Sequence, residues 1–132
     1  MLNPQEHLES QSVAVLGASN NPDRYSYKAF QSLKKHGYHP LPVSPYLASL
    51  EGEPSVGSLK DLSKPVDTVT MYVNPRTSDD VTNDILFLKP RRVIFNPGSE
   101  NPKLEKTLMA AGIHVVKACT LVLLDTGKFA EA

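Results

Sequence analysis

The chain has 132 residues, 40% hydrophobic and 21% charged, with fourteen Lys and Arg balanced by fourteen Asp and Glu. That length predicts one domain with a core of its own. Zero net charge excludes bulk attraction to nucleic acid or to an anionic membrane as the source of binding. The one cysteine, Cys119, rules out a disulfide within the chain and fits a reducing, cytoplasmic setting.

Residues 1–11 read as a polar, flexible tail, and Pro4, Glu6 and Glu9 make it unlike a secretory signal. Residues 12–129 read as the single domain. Ser12–Leu16 is a predicted strand. A helix is expected from Ser26 to His36, with Ala29, Phe30 and Leu33 on its apolar side and Gly37 as its left-handed end. His39–Val43 is the second strand. The stretch from Tyr46 to Lys64 is irregular, with turn residues Gly52, Pro54 and Gly57, a short strand near Ser55-Val56 and a helical turn at Leu59–Leu62.

Val66–Val73 is a β-branched run and a predicted strand. Thr77 or Ser78 is expected to cap a helix reaching Leu88, with Val81, Ile85 and Leu88 on one face and Asp79 and Asp80 in its first turn. Arg92–Phe95 is the next strand. Asn101 caps a helix with Pro102 at its first position; Leu104, Leu108 and Ala111 face the core, and Gly112 ends it. Ile113–Val116 and Cys119–Leu124 are the last predicted strand segments. The apolar run Ala118–Leu124 is too short to span a bilayer.

Strands alternating with amphipathic helices imply right-handed crossovers and a parallel sheet. The predicted fold is therefore α/β: Rossmann-like and doubly wound, with a mostly parallel sheet of five to six strands and helices on both faces. Such sheets bind ligands beyond the carboxyl ends of their strands, where strand order reverses. The informative loops are then Gly17–Ser26, Ser44–Tyr46, Asn74–Thr77 and Asn96–Asn101.

The first loop carries the chemistry of an anion site. Gly17 permits the turn out of the strand, the following helix start offers backbone N–H groups, Ser19 and Ser26 add hydroxyls, and Arg24 adds a fixed charge. Gly17-Ala18-Ser19-Asn20-Asn21-Pro22 fails the GxGxxG pattern after its first position, and Val43-Ser44-Pro45 stands where a ribose-binding acid would end the second strand. Both features argue against a simple NAD site. The absence of Gly-Lys-Ser/Thr excludes a P-loop.

Gly-Ala-Ser followed by Asn-Asn-Pro-Asp-Arg-Tyr-Ser-Tyr resembles the first loop of the small CoA-binding-domain proteins, single-domain relatives of the nucleotide-binding domain of the succinyl-CoA synthetase alpha subunit. Gly37-Tyr38, Pro42-Val43-Ser44-Pro45, Gly52, Ser58-Leu59, Pro65-Val66-Asp67 and Asn96-Pro97-Gly98-Ser99-Glu100-Asn101 follow in the family's order, so the resemblance covers about residues 12–124. It implies a cytoplasmic protein that binds CoA or an acyl-CoA. Gly17, Ala18, Ser19, Arg24 and Ser26 would line the diphosphate, and Val43, Ser44 and Pro45 would flank the adenosine. Tyr72, Val73 and Asn74 would border the ligand, and Asn96, Pro97, Gly98, Ser99 and Glu100 would close the far side, toward the pantetheine arm. Members often carry Lys or Arg where this chain has Tyr46, which stacks on adenine or donates one hydrogen bond but brings no charge.

No catalytic set stands out. The phosphohistidine of the related acyl-CoA ligases lies on a later domain. His7 falls in the tail, His36 and His39 flank Gly37, and His114 opens a strand, with no metal-ligand spacing among them. Cys119 reads as core packing in an apolar strand. Asp79-Asp80 and Glu100 form an acid pair only if the fold brings them together. Arg91-Arg92 reads as a solvated edge, with an acid as a partner for Arg92. Of Tyr25 and Tyr27, one is expected at the ligand and the other in the core. Two further readings stay open: an enzyme using NAD(P) or another adenine nucleotide, and an interaction domain whose nucleotide site has decayed. A homodimer or a protein partner is open too.

Overall fold

The computed structural model describes residues 11–63 and 65–132. The expected tail over residues 1–10 and the end of the irregular stretch at Lys64 lie outside these. The elements in chain order are β1 Ser12–Leu16, α1 Tyr25–Lys35, β2 His39–Val43, β3 Ser49–Leu50, β4 Glu53–Pro54, β5 Thr68–Met71, α2 Pro75–Asp80, α3 Thr82–Leu88, β6 Arg92–Phe95, α4 Pro102–Ala110, β7 His114–Lys117 and α5 Thr120–Asp125.

The main sheet has the order β2-β1-β5-β6-β7 and every pairing in it is parallel. Ala14 lies between Leu41 and Val69 in register. Alternate residues of β1 serve opposite faces, as the period of two requires. Ala14 and Leu16 join one core cluster with Ile85, Leu104 and Leu108, so α3 and α4 cover that face. Val13 and Val15 join the other with Phe30, Leu33 and Leu124, so α1 and α5 cover the opposite face. Both faces are therefore buried, the condition for a near-continuous apolar strand. Each fully buried side chain such as Phe30 stabilises the fold by roughly 1.5–3 kcal/mol. The chain leaves β1 for one edge and returns through β5 toward the other, so strand order reverses between β1 and β5. No helix among the described residues is long and apolar enough to cross a membrane.

Several expectations are corrected. Cys119–Leu124 is not a strand: α5 begins at Thr120, with Thr120 and Leu124 one turn apart and buried while Val122 is exposed. The helix after β5 is capped by Asn74, whose Oδ1 accepts from the Thr77 N–H at 2.9 Å, with Pro75 in the first turn. It breaks at Val81 into α2 and α3, so Asp79 and Asp80 end the first helix instead of opening it. The β5 strand covers only Thr68–Met71 of the expected Val66–Val73. Ala111 is exposed, at the end of α4.

Arg92 is buried, not solvated, and forms no ion pair with an acidic side chain among the described residues. It donates to Thr68 Oγ1 at 2.7 Å, to the Phe129 carbonyl (2.5 Å) and to the backbone oxygen of Ala132 (2.8 Å), with its guanidinium over the Phe129 ring. Arg91 instead pairs with Asp67 at 2.9 Å. The irregular stretch contains a hairpin, β3–β4, turning at Glu51-Gly52, both with positive φ. Glu51 holds that turn against α1 by accepting from Gln31 and Tyr27 and facing Lys34.

Candidate functional site

The site begins where β1 ends. Gly17 has φ +89°, and a Cβ built there would lie 2.8 Å from the Tyr72 carbonyl oxygen and 3.0 Å from Val73 Cγ1. Only glycine lets the chain pass so close to the end of β5. The Gly17 and Ala18 amides both donate to the Val43 carbonyl, at 3.0 and 3.3 Å. The loop then folds on itself: Asn21 N–H donates to Ser19 Oγ, Asp23 N–H to Asn21 Oδ1, and Arg24 N–H to the Asn21 carbonyl.

Arg24 is the N-cap residue of α1 and supplies no side-chain cap. First-turn amides of a helix have no acceptor within it, and the helix dipole makes this end attractive to anions. The guanidinium of Arg24 is exposed and has no bonded acceptor among the described residues. Together with Gly17, Ala18, Ser19, Asn20, Tyr25 and Ser26 it lines a cavity of about 460 Å³.

The opposite wall comes from the end of β2. Ser44 is buried; its N–H donates to the Val56 carbonyl at 2.9 Å and its Oγ accepts from the Tyr46 N–H at 3.2 Å. These bonds fix the path of the loop, and Ser44, Tyr46 and Leu47 line the cavity. The Tyr46 ring is 92% exposed at its mouth.

Tyr72, just past β5, forms the floor. Its hydroxyl is buried and makes no hydrogen bond among the described residues. The Thr70 and Thr120 hydroxyls near it are bonded to each other at 2.8 Å. Burial pushes the phenol up to about 12, with Thr120 and Thr70 offsetting part of the effect. The group is therefore a neutral donor at physiological pH, and a buried donor left unmatched costs about 1–3 kcal/mol.

Tyr25 and Tyr72 also line a second cavity of about 260 Å³, completed by Asn96, Pro97, Cys119 and Leu121. Its walls are mainly aromatic and aliphatic. Cys119 is half-buried there, at the start of α5, and not in a strand core. Asn96 is buried and engaged on both sides of its amide: Nδ2 donates to Thr70 Oγ1 (2.7 Å) and the Met71 carbonyl (2.9 Å), and Oδ1 accepts from Thr120 N–H (2.9 Å).

Ten of the seventeen residues singled out from the sequence line one or both cavities: Gly17, Ala18, Ser19, Arg24, Ser26, Ser44, Tyr46, Tyr72, Asn96 and Pro97. Val43, Pro45, Val73, Asn74, Gly98, Ser99 and Glu100 do not. Val43 is wholly buried, Val73 abuts Gly17, Asn74 caps α2, and Gly98 donates to Glu100 at 2.7 Å. Asp79 accepts from Asn101 and Glu100 from Gly98, so each carboxylate has its own separate structural bond. His39 faces Glu53 at 3.2 Å, and His36 Nδ1 lies 2.8 Å from the Ser32 carbonyl. Tyr25 goes to the cavities, while Tyr27 packs against the core. Leu47, Asn20 and Leu121 line the site without having been singled out; Leu121 was hidden by reading α5 as a strand.

Residues 11–125 match the family described as CoA binding domain. The protein cell-free ID.343 from Thermus thermophilus shares 36% identity and the fold at a TM-score of 0.82, covering 97% of this chain and 100% of that one. The YneT protein of Bacillus subtilis is 31% identical over 77 residues, 58% of this chain and 57% of its own length. An acetyl-coenzyme A synthetase of Ca. Korarchaeum cryptofilum, solved with phosphate and ADP, shares the fold at a TM-score of 0.72 with 19% identity, over 89% of this chain and 28% of that one.

Proposed function

The chain belongs to the CoA binding domain family, and on that premise we propose that it is a binding module for CoA or an acyl-CoA, presenting the ligand to a partner. One observation carries this reading. A cavity with an uncommitted arginine at a helix N-terminus adjoins a largely apolar cavity, and the two share Tyr25 and Tyr72. CoA is an anionic diphosphate joined to a long, weakly polar arm, so its two parts match the two compartments.

The residues fit that group on independent grounds. Arg24 matches a diphosphate in charge and geometry. Tyr72 lines both compartments, and its buried hydroxyl has no hydrogen-bond partner among the described residues. The end of β2 carries Ser44 and no acid to hold a ribose in the manner of NAD sites. Among the described residues, neither cavity lining pairs a nucleophile with a histidine or lysine, Cys119 in the second cavity included.

The test is a thermal-shift and calorimetric series with CoA, acetyl-CoA, ADP, pantetheine and NAD at equal concentration. A ligand of the folded state raises the melting temperature. CoA and acetyl-CoA are expected to shift it more than ADP or pantetheine alone, because only the whole molecule fills both cavities. A shift with NAD and none with CoA would overturn the reading.

A further inference from the structure

The two cavities fix the direction in which such a ligand would lie, and this inference rests on the reading just given. The polar cavity draws on the ends of β2, β1 and β5, and the second on those of β5 and β6 and on α5. In the sheet these strands follow the order β2-β1-β5-β6. With the diphosphate at Arg24 and the arm past Tyr72, the nucleoside end must point the other way, toward β2. There it meets Ser44, Tyr46 and Leu47.

Among the described residues, that end of the site has a ring and no cation. Among the described residues Arg24 is the one charged residue lining the polar cavity, and a diphosphate at this helix start would claim it. Lys28 stands 5.4 Å over the Tyr25 ring and, with Lys35, lines a separate groove between α1 and α5. Tyr46 is 92% exposed and lines the polar cavity, and the bond from its N–H to Ser44 Oγ fixes the backbone that carries the ring. A planar, exposed, positioned aromatic is suited to a nucleobase, since base–aromatic stacking needs only a π-face.

We propose that Tyr46 makes the site read the base and the diphosphate and ignore the ribose 3′-phosphate. The ligand class is then an adenine nucleotide diphosphate carrying a pantetheine arm, phosphorylated at the 3′ position or not. Stacking supplies affinity at that end, and no fixed charge supplies discrimination.

The test is titration calorimetry with CoA and dephospho-CoA at 0.15 M salt on the wild-type chain and on Tyr46→Ala and Tyr46→Lys. Tyr46 is exposed, so both variants are expected to melt like the wild type. Wild-type dissociation constants are expected to agree within about threefold, whereas a preference of tenfold or more for CoA would overturn the inference while leaving CoA binding intact. Tyr46→Ala is expected to weaken both ligands by one common factor of about five- to a hundredfold, the range of a lost base stack. A loss confined to CoA, or no loss, refutes the role of the ring. Tyr46→Lys is expected to create a preference for CoA of threefold or more, and an unmoved ratio would show that the 3′-phosphate lies elsewhere. If the wild type binds neither ligand, the proposed function itself fails, and this inference with it.

Discussion

Replacing Gly17 by alanine should destabilise the domain far more than the same change at another left-handed glycine. The new Cβ would sit 2.8 Å from the Tyr72 carbonyl oxygen and 3.0 Å from Val73 Cγ1, and the residue would also have to hold φ +89°. A side chain at positive φ costs about 1–2 kcal/mol, and forcing a methyl group against packed backbone costs about 1–3 kcal/mol more. The total of about 2–5 kcal/mol is a large share of the roughly 5–15 kcal/mol that holds a domain folded. At about 3 °C per kcal/mol for a chain of this size, melting should fall by about 6–15 °C. Gly98 provides the control, because it has φ +92° and nothing within 4 Å of a built Cβ. Gly98→Ala should lose only the conformational part, about 3–6 °C. Circular-dichroism melts of the two variants side by side separate strain from collision. If they melt within 3 °C of each other, the close approach of β1 and β5 is not what demands glycine at position 17.

Other outcomes follow from the site. Arg24→Ala should weaken CoA by about ten- to a hundredfold, the worth of a charged hydrogen bond, while moving the melting temperature by less than about 2 °C, since the free guanidinium bonds to nothing; calorimetry and melting read both. Tyr72→Phe should leave the free protein as stable or more so near pH 7, because it removes an unmatched hydroxyl, yet bind CoA more weakly. Its pH dependence has a definite sign. The folded phenol titrates near 12 against an ordinary 10, so below pH 10 the term is fully present, and it is lost as pH rises from 10 to 12. Wild type should therefore lose about 2–3 kcal/mol across that window relative to Tyr72→Phe, measured by urea unfolding at each pH; parallel curves would refute the burial of the phenol. Alkylation of Cys119, followed by mass spectrometry, should be slowed by CoA and not by ADP, because only the arm reaches the second cavity. Equal protection by both would place the arm elsewhere.

The sheet was legible because its strands are signalled locally. VAVL in β1 and RVIF in β6 are short apolar runs between turn residues, and Gly37 and Gly112 end helices with the positive φ expected of them. Asn101-Pro102 marks a helix start, and Asn74-Pro75 carries the same signature, hidden only by assigning Asn74 to the ligand. What stayed illegible depends on distant partners. LVLL suits a strand or a buried helix turn equally, and the choice is made by Thr120, whose N–H goes to Asn96 and whose hydroxyl goes to Thr70. Arg92 looks like a surface residue because two of its acceptors are backbone oxygens 37 and 40 positions away. Burial pulls its pKa below the usual arginine value, and three oxygens compensate the buried charge. The Glu51-Gly52 hairpin lacks the usual Asn-Gly or Asp-Gly, and contacts from α1 hold its left-handed glutamate.

Hydrogen bonding divides the residues around the cavities by what each has left to offer. The Gly17 and Ala18 amides are taken by Val43, and both ends of the Asn96 amide are taken by β5 and α5. These groups cannot turn toward a ligand without giving up buried bonds, at about 1–3 kcal/mol each. Their contribution is to place others: the Val43 carbonyl ties the first loop to the end of β2, and Asn96 ties the end of β5 to the start of α5. Arg24, Tyr46 and Tyr72 are the opposite case: all three line the polar cavity, and their side chains have no hydrogen-bond partner among the described residues. A ligand that bonds the last three while leaving the first three undisturbed gains its contacts without reorganising the fold, which is how a rigid scaffold keeps the cost of binding low. Substitution should therefore sort the two groups by readout. Asn96→Ala should lower the melting temperature first and affinity as a consequence, whereas Arg24, Tyr46 and Tyr72 variants should lose affinity in a protein that still folds.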